Sequence, residues 1–354
     1  MAVPDCVLTG GRVVLPRAIL ENGAIVLRRG KIEAVLEQGE RLPQGLPRRD
    51  LGRSWVTPGL IETHIHGCGG VDFGALGADP AAGAAALERA AGFLRDRGVA
   101  TFVPTVYSDQ AAIADLAAAL GEWAPSRELL PGIYVEGPFV NPARRGAIPL
   151  ESISGPDSRL LGRLINLARG RMALMTLAPE LPGYREILAR LEAVGVLPCL
   201  GHSDCDIDRI TLPSGRFSIT HLFNAMSPIS HKAPGLAMLP FLDRRAYVEL
   251  IADGLRVNDA ALRICASGIE PERLILVSDA VSRAGAPEAA LAPELLRNWL
   301  KVTGSSIPNA VRMLSLTPAQ ALRLDDRRGA IAQGLDAVLV IWKGEFEGVE
   351  EVID

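Results

Sequence analysis

Four of the five histidines in this 354-residue chain stand at or near the ends of apolar runs. The first two close the stretch from Val56 to Phe73, VTPGLIETHIHGCGGVDF, where an apolar run delivers His64 and His66 to a glycine-rich loop. Residues two apart on a strand point to the same face, so these imidazoles stand side by side. Two neutral imidazoles at a strand end are a ligand pair for a divalent metal. His202 ends GVLPCLGH and His221 lies in FSITHLF, while Glu136 ends GIYVEG and Asp279 ends LILVSDA. A single polar strand end is ordinarily a helix cap or a satisfied buried group. Six that are all His, Glu or Asp point instead to a metal constellation.

The elements that must position them alternate between apolar β runs and helical patterns, the signature of a parallel sheet with crossover helices. The runs are 60–66, 99–105, 132–137, 172–179, 195–202, 217–223, 247–254 and 274–280. Pro80 to Arg97 illustrates the helical pieces, with Ala, Leu and Phe recurring at three and four. Eight such units predict a (β/α)8 TIM-type barrel, in which every strand's C-terminal end opens onto one face and distant residues converge on one cavity. Short β runs at both chain ends, with a hairpin turn at Arg29-Gly30, predict a small β-sandwich outside the barrel. The expected division is 1–55 with 328–354 for the small domain and 56–327 for the barrel.

Composition narrows the partners. A hydrophobic fraction of 48%, 22% charged residues and a net charge of -4 describe a soluble globular protein. Without a basic stripe there is no nucleic-acid partner to expect, and without an apolar run of about 20 residues no membrane span. The five scattered cysteines fit a reducing cytoplasm. Cys199 and Cys205 bracket His202, but Cys199 precedes it by three residues on one strand and so faces the other way.

At these residues the sequence resembles the amidohydrolase superfamily, and within it the N-acetylglucosamine-6-phosphate deacetylase family. The resemblance rests on PGLIETHIHGCGGVDF, VEGPFVNPARRGA, LAPE, GHSDCD, THLFNAMSP followed by APGL, IADGLRV and LVSDAV, running from about Pro58 to Val281. It implies Glu136, His202 and His221 as ligands of a principal metal. His64 and His66 hold a second, with Glu136 able to bridge, and Asp279 is the catalytic acid and base. One or two divalent ions are implied, zinc or iron first, with a water position left open. Asn224, Ala225 and Lys232 fall where the family grips a sugar phosphate, with Lys232 replacing an arginine.

Ile148, after Ala147, and Arg256 stand where the family has histidines, and Arg256 is expected to hold an anionic group. Ser282 to Val302 is shorter than the family's stretch, and Gly304-Ser305-Ser306 matches a small-residue turn. The implied activity is deacetylation of an N-acetyl amino sugar phosphate by a cytoplasmic homodimer. Two alternatives stand beside it: hydrolysis of another N-acyl compound or a cyclic amide, and an inactive barrel that binds a sugar phosphate.

Overall fold

The computed structural model of the chain describes residues 3–123, 131–282 and 289–354. Its main body is a sheet of eight strands: Leu60–Ile65, Val99–Tyr107, Ile133–Glu136, Met172–Leu177, Leu197–Leu200, Phe217–Ile219, Ala246–Leu250 and Leu274–Leu276. Each lies parallel to the next in chain order. The eighth returns to the first, because Ile65 bridges Ala280 and the Asp279 N–H donates to the His64 carbonyl at 2.9 Å. Each of the eight apolar runs carries one of these strands.

The runs lack polar alternation because both faces of such a sheet are covered. In Val99–Tyr107 only the last residue is partly exposed. Outside lie amphipathic helices such as Pro80–Arg95, started by an Asp79 side chain that accepts from the Ala81 N–H and by proline in the first turn. It buries Gly83, Ala86, Leu87, Ala90 and Leu94 against the sheet and its neighbours. Inside, Val103, Tyr134, Leu174, Leu197, Cys199, Ile251, Ile275 and Val277 fill the barrel. One expectation fails locally. Between the fifth and sixth strands the described residues form a 3-10 turn, Ile207–Arg209, and no α-helix. The segment carries Asp206, Asp208, Pro213 and Gly215, and its apolar residues Ile207, Ile210 and Leu212 pack on the core over too short a span to sustain a helix.

The two chain ends build a separate sheet of seven strands. Its order is Gly348–Ile353, Leu339–Lys343, Trp55–Pro58, Cys6–Val14, Ile19–Arg28 and Lys31–Leu36, with Arg48–Asp50 also beside Cys6–Val14. The hairpin turn sits at Arg29 and Gly30, both at positive φ. Gly59 links this sheet to the barrel. A Cβ there would lie 2.6 Å from Val338 Cγ1 and 2.7 Å from Ala100 Cβ, so only glycine lets the two bodies approach this closely. No helix among the described residues is long and apolar enough to cross a membrane.

Candidate metal centre and active site

The first strand and the residue beyond it present His64 and His66, both buried, with ring centroids 5.5 Å apart. Glu136 is the last residue of the third strand, and His202, His221 and Asp279 lie just past the fifth, sixth and eighth. Those last three have left-handed backbones, with φ of 47°, 29° and 44°. Such angles are unfavourable for residues with a Cβ and are characteristic of sites whose surroundings enforce them.

Two sets of ligand atoms result, each within 4.8 Å: His64, His66 and Asp279, and Glu136, His202 and His221. Glu136 joins them. Its Oε1 lies 2.9 Å from His202 Nε2, 3.1 Å from His221 Nε2 and 3.7 Å from His64 Nε2, and its Oε2 lies 3.1 Å from His66 Nε2. Asp279 Oδ1 is 3.6 Å from Nε2 of both His64 and His66. Burial alone would raise the Glu136 carboxyl, yet the imidazoles of His202, His221 and His66 hold it well below the usual carboxylate range.

The outward ring nitrogens settle the tautomers. His64 Nδ1 is 2.9 Å from Glu249 Oε2, and His202 Nδ1 is 2.8 Å from the Arg144 carbonyl. Both oxygens accept, so each Nδ1 carries its proton and each Nε2 can offer a lone pair inward. Nε2 of His64 and of His66 is buried without an aligned hydrogen-bond partner. Orphaned imidazole nitrogens converging on a carboxylate fit a divalent metal of the zinc or iron type. Burial disfavours a charged His64, but Glu249, with Asp279 and Glu136, pushes it up to about 10 when the cluster holds no metal, so a metal would take the place of the Nε2 proton.

Beneath the cluster Tyr134, Thr176 and Thr220 form a closed hydrogen-bonded triangle with sides of 2.9, 3.0 and 3.1 Å. Glu62 stitches the barrel seam by accepting from the His64 N–H at 3.1 Å and the Ser278 N–H at 3.0 Å. Burial pushes its carboxyl up to about 7.

The residues expected at the substrate divide. Asn224 is half-buried and donates to the carbonyls of His221 and Leu222 at 3.4 and 3.3 Å. Ala225 has φ 49°, and a Cβ on Gly146 would meet its Cβ at 3.5 Å and His202 Cε1 at 3.3 Å, so the loops after the third and sixth strands close over His202. Ala147 is exposed, whereas Ile148 is fully buried and pins its loop. Arg256 contacts Asp279, with Nη1 3.2 Å from Oδ2. Lys232 is exposed on its loop and touches no cluster residue.

Gly304 is the left-handed C-cap of Ala292–Thr303, its N–H donating to the Leu300 carbonyl, and among the described residues no hydrogen bond ties it to the cluster. Of the shortened stretch before it, 283–288 lie outside the described residues. Glu249, Glu62 and Glu180 went unread in the sequence. Glu249 had a signal, as the one charged residue inside the apolar part of YVELIADG. Glu180, in LAPE, accepts from Asn141, Ser203 and the Asp204 N–H, tying three loops together.

A parallel barrel with His, Glu and Asp at its strand ends defines a metal-dependent hydrolase of the amidohydrolase type, and a model of the amidohydrolase family matches residues 55–183. The N-acetylglucosamine-6-phosphate deacetylase of Bos taurus is 31% identical over 334 residues, covering 83% of this chain and 81% of its own. The chain belongs to the N-acetylglucosamine-6-phosphate deacetylase family. The N-acetylgalactosamine-6-phosphate deacetylase of Escherichia coli O157:H7 is 28% identical over 368 residues, covering 94% of each chain. Among solved structures, a mutant N-acetyl-D-glucosamine-6-phosphate deacetylase of Mycobacterium smegmatis in complex with N-acetyl-D-glucosamine-6-phosphate superimposes with a TM-score of 0.85 at 26% identity, covering 99% of each chain.

Proposed function

We propose that this protein hydrolyses the amide of N-acetylglucosamine 6-phosphate, giving glucosamine 6-phosphate and acetate. The observation that carries the reading is the joining of His64, His66 and Asp279 to Glu136, His202 and His221 through the Glu136 carboxylate. An inactive binding barrel has no physical need of inward-facing imidazole nitrogens left without partners beside a carboxylate.

Glu136, His202 and His221 would hold the principal divalent ion, zinc or iron, and His64, His66 and Asp279 a second. Such an ion, when bound, polarises the amide carbonyl and acidifies water. The chain's own residues do the rest. Asp279 takes the proton of the attacking water and returns it to the amide nitrogen, which leaves poorly unless protonated. Arg256 fixes the Asp279 carboxylate from the outer side, and Glu249 fixes the ring of His64. Asn224 and Ala225 would grip the sugar phosphate, and Arg256, held against Asp279, supplies a cation. The five cysteines, odd in number and scattered along the chain, support a cytoplasmic setting.

A second reading exchanges the sugar for N-acetylgalactosamine 6-phosphate, because a relative of that name covers 94% of this chain. Both are tested by amine release from N-acetyl hexosamines of the two configurations, with and without 6-phosphate, at defined metal content. Release confined to the phosphorylated glucosamine compound is the expected result. Release from another N-acyl compound or a cyclic amide alone would move the function there, and release from none would leave only binding.

A further inference from the structure

A cavity of about 450 Å³ opens at the entries of the fourth, fifth and sixth strands, on the barrel face opposite the ligand cluster. Sites for small molecules typically enclose about 300–1,000 Å³. We propose that this cavity is a second binding site, for a phosphomonoester, held by Arg216 and Arg323. It shares no residue with the metal cluster, so the proposal stands independently of the deacetylase reading.

One carbonyl sets both arginines at the rim. The Gln320 oxygen accepts from Arg216 Nη1 at 2.8 Å and from the Arg323 N–H at 3.3 Å. An arginine bonded to the last carbonyls of a helix is an ordinary cap, but this one contact leaves most of the Arg216 donors open. Arg323 ends the helix Leu316–Leu322 with a φ of 59°. That left-handed position favours glycine. The arginine found there has no side-chain partner among the described residues, and neither it nor Arg216 forms an ion pair among them. The one carboxylate of the described lining, Glu192, accepts from the Ser214 N–H and hydroxyl, each at 3.1 Å. Arg171 lines the cavity too, so three cationic side chains stand against one carboxylate. Guanidinium forks match the oxygens of a phosphate dianion with paired N–H donors. Met172, Val196, Leu197 and Leu322 give the rest of the ester an apolar wall.

Calorimetric titration of the metal-loaded protein with glucose 6-phosphate, which carries no amide, tests this beside glucose and inorganic phosphate. The expected result is binding that weakens with added salt, because the cations are exposed. Glucose should not bind, and inorganic phosphate should bind at least about fivefold more weakly for want of the apolar contact. Glucose 6-phosphate can also enter the catalytic mouth, so two variants assign the binding. Arg323→Gly suits the left-handed backbone, and Arg216→Gln keeps a donor for the Gln320 carbonyl. Each should raise the dissociation constant of this site about tenfold, the worth of a charged hydrogen bond, with metal content and melting temperature not lowered. Wild-type isotherms in both variants would overturn the site, and so would binding of glucose as tight as that of its phosphate. Equal affinity for inorganic phosphate would overturn the ester assignment.

Discussion

The guanidinium of Arg256 holds Asp279 at two points, Nη1 donating to Oδ2 at 3.2 Å and to the carbonyl oxygen at 2.9 Å, while its Nε donates to Asp253 Oδ2 at 3.0 Å. The arginine is thus a fixed part of the site wall. Arg256→Ala should lower kcat/KM for the phosphorylated substrate about tenfold to a hundredfold, the worth of a charged hydrogen bond. Arg256→Lys should recover only part of this, because an ammonium cannot span Asp253 and Asp279 as the fork does. Wild-type kinetics in Arg256→Ala would remove the residue from the mechanism.

Lys232 gives a smaller effect. An exposed cation that makes no ion pair among the described residues contributes about 1 kcal/mol at most through solvent-screened attraction. Lys232→Ala should raise KM for the phosphorylated substrate by no more than about fivefold and leave an unphosphorylated analogue untouched. Equal wild-type kinetics on the two substrates would show that phosphate is not recognised.

His202→Ala should lose most of the bound metal and keep the barrel, because the ring lies in the cluster while the sheet is held by backbone pairing. Elemental analysis of the purified variant, with circular dichroism beside it, decides this. Full metal content at wild-type ellipticity would contradict the ligand assignment.

Glu249→Gln keeps a hydrogen-bonding group beside His64 Nδ1 but removes the charge, and its amide can turn to present a donor. Outer partners of ligating histidines typically contribute tenfold to a hundredfold in metal affinity, so titration of metal into the metal-free protein should show about that loss. Unchanged affinity at every site would leave Glu249 a packing residue.

Asp279→Asn preserves an oxygen ligand and removes the proton carrier. Turnover should fall about a hundredfold to ten-thousandfold with metal content held. More than half of wild-type turnover would exclude the acid–base role.

The barrel was readable because both faces of its strands are buried, leaving continuous apolar runs whose polar ends stand out. The convergence of His64, His66, Glu136, His202, His221 and Asp279 was legible for the same reason. Glu249 was less so, since a carboxylate inside an apolar run reads equally as an outward-facing residue until a partner 185 positions away comes within reach. Gly304 was legible only as a small residue before a new helix, and its backbone angle of 67° shows it to be a left-handed helix cap. The helix expected between the fifth and sixth strands follows from the repeat alone, and Pro213 and Gly215 leave its few apolar residues too short a span.

The order of the small sheet has a consequence for synthesis. Leu339–Lys343 is inserted between Gly348–Ile353 and Trp55–Pro58, the strand that leads directly into the barrel. On the ribosome, Trp55–Pro58 therefore waits with one edge unsatisfied until the whole barrel sequence has been translated. An open strand edge is a template for pairing with other chains. Nascent chains stalled before residue 339 should accordingly bind chaperones that shield exposed strands, and release them once residue 343 has left the exit tunnel.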